Sequence, residues 1–280
     1  MLKYLNKTIF ILNVITLLFG NANQPVFNVF TSANKIGLGG SGSLESSVLG
    51  NLTNPSSYAG KEFSVALIRY PAEITSQSAG VVFPVLKGHG KFALNHISYG
   101  NFEEYDEDGI GIGNYNSQDT WFSAAYSNPF FKNKIKLGLS LSFYHSSYGN
   151  QNLNIFSLSY GMLYLLNNEK TKIGIILDRY GWAFGNSSTK LNNKLVLGYS
   201  QRLAYLPLDL FIDAKLEKGN LEEIFVGGTF DLNKRFSFSI GSSSRKFSQN
   251  IEQKVSKSIL GSTGAGIKYI NGTNIFNYGI

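Results

Sequence analysis

Residues 134–143 read KIKLGLSLSF, with Ile135, Leu137, Leu139, Leu141 and Phe143 on one parity and Lys134, Lys136, Gly138, Ser140 and Ser142 on the other. Successive side chains of a strand point to opposite faces, so this segment must meet an apolar medium on one side and a polar one on the other. This segment reads as a strand over 134–147, and the alternation recurs, less cleanly, at 61–70, 77–85, 90–99, 118–127, 151–165, 171–180, 192–204, 207–216, 222–231, 235–244, 259–270 and 274–280. Pieces of about ten residues cross a bilayer when tilted, and the pattern predicts an all-β chain built as an antiparallel transmembrane β-barrel. A soluble β-sandwich is the competing fold, because a half-buried sandwich strand alternates in the same way.

The start of the chain predicts export. Lys3 and Lys7 precede a largely apolar run from Ile9 to Phe19, and Gly20-Asn21-Ala22 supplies small residues for cleavage. We read 1–22 as a secretory signal peptide, too short in its apolar part for the roughly 20 residues of a spanning helix. No cysteine is present in the 280 residues, which excludes disulfides, thiolate metal sites, a cysteine nucleophile and lipoprotein processing.

The net charge of +7 becomes +5 without Lys3 and Lys7. The basic residues are scattered through turns and strand ends and form no stripe with interleaved aromatics, so nucleic acid is not an expected partner. Attraction to anionic outer-membrane lipid and lipopolysaccharide accounts for them, and the localisation expected is the bacterial outer membrane. The high content of Gly (30), Phe (21) and Tyr (16) is what lipid-facing and lumen-facing positions average to in a barrel.

Turn chemistry marks Asn167-Asn168-Glu169, Asn186-Ser187-Ser188, Lys218-Gly219-Asn220 and Asn271-Gly272, whereas 101–117 and 245–258 read as long polar loops. The candidate segments number thirteen, and bacterial single-chain barrels close on even numbers. The pattern also stops in mid-strand at Phe276–Ile280. Either one strand escapes the alternation or the given sequence is clipped; a clipped closing strand, fourteen in the full protein, is the expectation taken.

The stretch GLGGSGSLESSVLGNLTNPSSYAG contains a Gly39-Gly40 step, an expected short helix around Leu44–Leu49, and Asn54-Pro55 followed by small residues. Together with KFALNHISYGNFEEYDEDGIGIGNYNSQDTWFSAAYS, the long segment ending Tyr-His-Ser-Ser-Tyr at 144–148, and GAGIKY at 264–269, this order of motifs resembles the PorV/PorQ family of outer-membrane proteins, most closely its PorQ branch. The resemblance implies a barrel like that of the long-chain fatty-acid transporter, fourteen strands with an N-terminal segment folded into the lumen as a hatch. The expected organisation is then signal peptide 1–22, hatch 23–60 and barrel 61–280, with Gly39, Gly40, Asn54 and Pro55 as structural residues of the hatch. Asn54 can cap a helical turn with Pro55 at its first position.

Other motifs carry less. Gly37, Gly39 and Gly42 satisfy G-x-G-x-x-G, but no βαβ pattern surrounds them and no cofactor is expected. The acidic run Glu103, Glu104, Asp106, Glu107 and Asp108 lacks the spacing of a dedicated calcium loop. His89, His96 and His145 stand in no metal-ligating or triad pattern, and no metal site or enzymatic activity is expected. Two functions follow. The resemblance implies an accessory component of type IX protein secretion and surface attachment, whose partners are secretion-system proteins or secreted clients. Phe102, Glu103, Tyr105, Asp106, Tyr115, Arg245 and Phe247 in the long loops are the expected partner residues. The alternative is an outer-membrane transporter of hydrophobic small molecules, which small polar positions such as Ser140, Ser142, Ser237, Ser239 and Gly241 disfavour if they line the lumen.

Overall fold

The structure, a computed structural model, describes residues 30–49, 54–106, 108–131, 133–149, 151–166, 170–185, 193–244 and 263–280. The signal peptide, the turns at 167–169 and 186–188, and Arg245 and Phe247 of the 245–258 loop lie outside them.

After a five-residue helix α1 (Ala33–Gly37), thirteen strands follow: β1 (Glu62–Arg69), β2 (Thr75–Val85), β3 (Gly88–Tyr105), β4 (Gly111–Phe130), β5 (Ile135–Tyr148), β6 (Gln151–Leu166), β7 (Thr171–Gly185), β8 (Lys194–Arg202), β9 (Leu208–Glu217), β10 (Asn220–Asp231), β11 (Phe236–Ser243), β12 (Thr263–Asn271) and β13 (Asn274–Gly279). They form one antiparallel sheet in sequence order, each strand paired with the next, and β1 is not paired with β13. The architecture is all-β, as the alternation predicts, and each expected segment contains a strand.

Period-two patterning assigns the faces. Leu137, Leu139, Leu141 and Phe143 of β5 are 40–45% exposed on one face, whereas Ser140 on the other is 2% exposed. Phe63, Val65 and Leu67 on β1, Phe92 and Leu94 on β3, Ile173 and Ile175 on β7, and Phe236, Phe238 and Ile240 on β11 continue the exposed apolar face. The buried serines do not face bulk water. On their side of the sheet, residues 33–49 and 54–56 lie against glycines of β2, β5–β8 and β10–β13.

That segment reports the sheet's curvature. Thr31 Oγ1 donates to the Leu49 carbonyl at 2.6 Å. Ala33 lies against Gly279 of β13, while Leu49 lies against Gly80 of β2. In a flat sheet those strands would stand about 50 Å apart, at roughly 4.8 Å per strand. The sheet is therefore strongly curved around the segment, its two edge strands left unpaired.

Two expectations are corrected. Residues 44–49 form turns and not a helix. A helix would stack Leu44 and Val48 on one face, but Leu44 packs toward Gly174 and Gly198 on β7 and β8 while Val48 packs toward Gly80 on β2. The 101–117 region is no loop: β3 and β4 remain paired from Gly100↔Ser117 to Tyr105↔Gly111, leaving a tip of five residues, 106–110. Its composition of Gly, Asn and acidic residues hides a ladder that a cross-strand stack of Phe102 on Tyr115 supports.

Candidate functional site

The interior segment is held by backbone proximity to the sheet. Side chains added at Gly241, Gly264 or Gly279 would overlap the carbonyls of Leu38, Ile36 and Ala33, and one at Gly138 would overlap Pro55. Gly161 meets Asn54 and Ser56, Gly198 meets Ser43 and Leu44, and Gly227 meets Ser41. Glycine at these inward positions removes the Cβ layer, so the segment's main chain approaches the main chain of the wall. The signal was present as glycines of inward parity in successive strands, yet only the fold shows that one segment touches them all.

Gly39 and Gly40 follow α1 with positive φ of 57° and 91°, turning the chain against Gly241 and the Phe225 ring. The G-x-G-x-x-G glycines thus serve close approach and a turn, with no strand preceding α1 among the described residues. Asn54 and Pro55 are fully buried. Asn54 Oδ1 accepts from Ser56 N at 3.0 Å and Ser56 Oγ at 2.6 Å, while its Nδ2 donates to the Ser43 carbonyl at 2.8 Å. It therefore closes a side-chain turn and not the helix start expected from Asn-Pro.

Polar groups complete the anchorage, as buried donors and acceptors must be paired. Ser43 N donates to Asp213 Oδ2 at 2.9 Å and Ser43 Oγ donates to Asp213 Oδ1, an inward carboxylate of β9. Lys35 Nζ donates to the Ser41 carbonyl at 2.8 Å, and Asn34 Nδ2 donates to Glu45 Oε2 at 2.5 Å. Burial pushes the Lys35 ammonium down from its ordinary value against the pull of Asp213 and Glu45. Burial likewise pushes the Glu45 carboxyl up, opposed by Lys268 and Lys35. Lys91 Nζ donates to the Tyr58 hydroxyl at 2.9 Å, and the Phe30 amide donates to the Tyr70 hydroxyl at 3.0 Å. Burial, partly offset by the Phe30 contact, pushes that hydroxyl up to about 12, so Tyr70 is neutral at physiological pH.

Asp213→Ala should cost about 2–3 kcal/mol, because it removes both hydrogen bonds that Ser43 donates to this buried carboxyl group. Chemical denaturation of the purified chain measures it, and a loss below about 0.5 kcal/mol, the range of an ordinary surface change, would contradict this anchor.

The second feature is an arm formed where β3 and β4 outrun their neighbours. The β2–β3 ladder stops at Thr75↔Ser98 and the β4–β5 ladder at Ser117↔Tyr148. Beyond these pairs, residues 100–105 and 111–116 pair only with each other. A bulge skips Tyr99 and brings Phe102 opposite Tyr115. Their rings stack at 5.4 Å, and Tyr115 meets Tyr148 edge-on at 5.1 Å with the two hydroxyls 2.8 Å apart.

Of the expected partner residues, the structure brings Phe102, Glu103, Tyr105 and Tyr115 onto this arm. Tyr105 donates its hydroxyl to Glu103. Asp106 instead shapes the tip, where its Oδ1 accepts from the Asp108 and Ile110 amides at 3.0 and 2.7 Å. Exposed Ile110 and Ile112, within the same 101–117 stretch, and Tyr148 at the end of β5 are not among the expected partner residues, because apolar and strand-end residues carry no polar-loop signal. Among the described residues no three acidic or histidine side chains converge as a cation site requires. His96 and His145 instead approach Thr120 Oγ1 and Asn154 Oδ1 through Nδ1, both at 2.8 Å.

Scans of this sequence against protein-family models and against curated proteins find no match.

Proposed function

We propose that this chain is a plugged β-barrel of the outer membrane that works as a docking scaffold, an accessory component of type IX protein secretion and surface attachment. The observation that carries the reading is the fit of residues 33–49 and 54–56 onto the glycine positions of the sheet's inner face. Backbone packed against backbone favours a fixed plug over a yielding gate, and work left to such a molecule is done by its surfaces.

Lipid contact is supported by the apolar outer face, which runs across the sheet and would be a large patch to leave in water. No described helix is long and apolar enough to cross a membrane, which leaves strands as the spanning elements of this reading. Leu139→Arg should cost about 2–4 kcal/mol at the bilayer centre, whereas Leu232→Arg, in a turn, should cost only about 0–1 kcal/mol. Unfolding from lipid vesicles compares them, and equal costs would remove the lipid assignment. Ser140→Arg would not serve as a tolerant control, because Ser140 is buried on the inward face.

One observation favours the transporter alternative: Ile97, Trp121, Tyr144 and Ile155 form a buried apolar cluster on inward positions of β3–β6. Purification from native membranes separates the two. Stoichiometric secretion-system proteins or clients are the expected result, and a barrel that comes alone with a fatty acid or another apolar ligand would establish transport instead.

A further inference from the structure

The arm has properties that neither a plugged barrel nor a lipid surface requires. An isolated two-stranded hairpin is marginally stable in water, yet this one carries its ladder past both neighbours and leaves the outer edges of 100–105 and 111–116 unpaired. Ile110 and Ile112 are about 60% exposed. Its charge is one-sided: between Lys91 and Lys132 there is no Lys or Arg, while Glu103, Glu104, Asp106, Glu107, Asp108 and Asp119 are acidic, in a chain whose net charge is +7. Anionic headgroups repel such an arm, so a lipid surface is not what it recognises.

We propose that the free edge of β3 at Gly100–Tyr105 accepts an extended cationic polypeptide segment of a partner protein as an added strand. An unpaired edge supplies main-chain donors and acceptors in register with an incoming strand. Glu103 and Glu104 point to opposite faces of the edge, and each sits beside an aromatic residue, Phe102 or Tyr105. An added strand therefore meets a carboxylate and an aromatic ring on either face, which selects Lys or Arg interspersed with apolar residues. Asp106 acts indirectly, by holding the tip that keeps the two strands paired. This inference rests on the docking function proposed for the chain and specifies the chemistry of one partner segment.

The test uses the full chain in detergent and a fluorescent nine-residue peptide alternating Lys and Val, with an alternating Glu and Val peptide as control. The Lys peptide should bind with an affinity that falls as salt rises, and the Glu peptide should not bind. Glu103→Gln with Glu104→Gln should weaken binding about tenfold, the loss of two cross-strand charge pairs. Amide exchange should slow on binding at 100–105 and not at 111–116. Unchanged affinity in the double variant, protection on the other strand, or no binding by the Lys peptide overturns the proposal. Native-membrane purification of the same double variant keeps the two readings apart. If the peptide result fails while wild type still brings down its partners, the arm inference falls alone. If wild type brings down none, the docking reading falls as well.

Discussion

Deletion of residues 30–60 is expected to raise single-channel conductance in planar bilayers by roughly an order of magnitude. Small barrels are filled by their own side chains, whereas larger ones leave a lumen. Here the inward positions of several strands are glycine or serine, and what fills the space beside them is the interior segment, with Leu38, Leu44, Val48, Leu49 and Tyr58 all no more than 2% exposed. Removing that segment takes away the side chains and backbone that stand against the glycines of the inner face. Conductance equal to that of the full chain would show that residues 30–60 do not occlude a pore. A deletion protein that fails to reach the membrane would show that the segment is part of the folding core, and graded displacement then becomes the measurement to make.

Gly241→Val supplies that graded displacement, with an expected loss of about 3 kcal/mol or more in stability. Overpacking a filled interior usually costs about 1–3 kcal/mol, and it reaches the upper end when the obstacle cannot rotate away. The obstacle at Gly241 is the Leu38 carbonyl and the Gly39 amide, main-chain atoms that can retreat only if the whole turn moves. Gly138→Val should act similarly against Pro55, at the other end of the segment. Gly113→Ala is the matched control on the arm, where an added Cβ meets nothing within 4 Å, and should stay within about 0.5 kcal/mol. Thermal unfolding in detergent ranks the variants, and partial opening in bilayers should accompany the destabilised pair. A Gly241→Val protein as stable as the Gly113→Ala control would mean that the segment does not rest on this face.

The strands were legible because the chemistry that makes them is local. Alternation within β5 needs no knowledge of β6, and turns such as Lys218-Gly219-Asn220 announce themselves through a glycine, which takes a positive φ of 83° here. Boundaries were less legible where two elements support each other: the β3–β4 arm is read as a loop from its composition, and only the Phe102, Tyr115 and Tyr148 contact explains why it remains a ladder.

For the interior site, the sequence contained the parts without their arrangement. Gly39, Gly40, Asn54 and Pro55 were identifiable as residues of an irregular segment, but their partners Gly241, Gly138 and Gly161 stand far along the chain and look like ordinary strand glycines. Asp213 alternates with its neighbours as any inward polar residue does, and nothing nearby announces Ser43 as its donor, 170 residues away. A period of two tells which face a side chain occupies, but not what stands opposite that face. The curvature that brings β2 and β13 to the same stretch, residues 33–49, is a property of all thirteen strands together, and that is why only the tertiary structure could show that the small inward residues make room for a polypeptide and not for water.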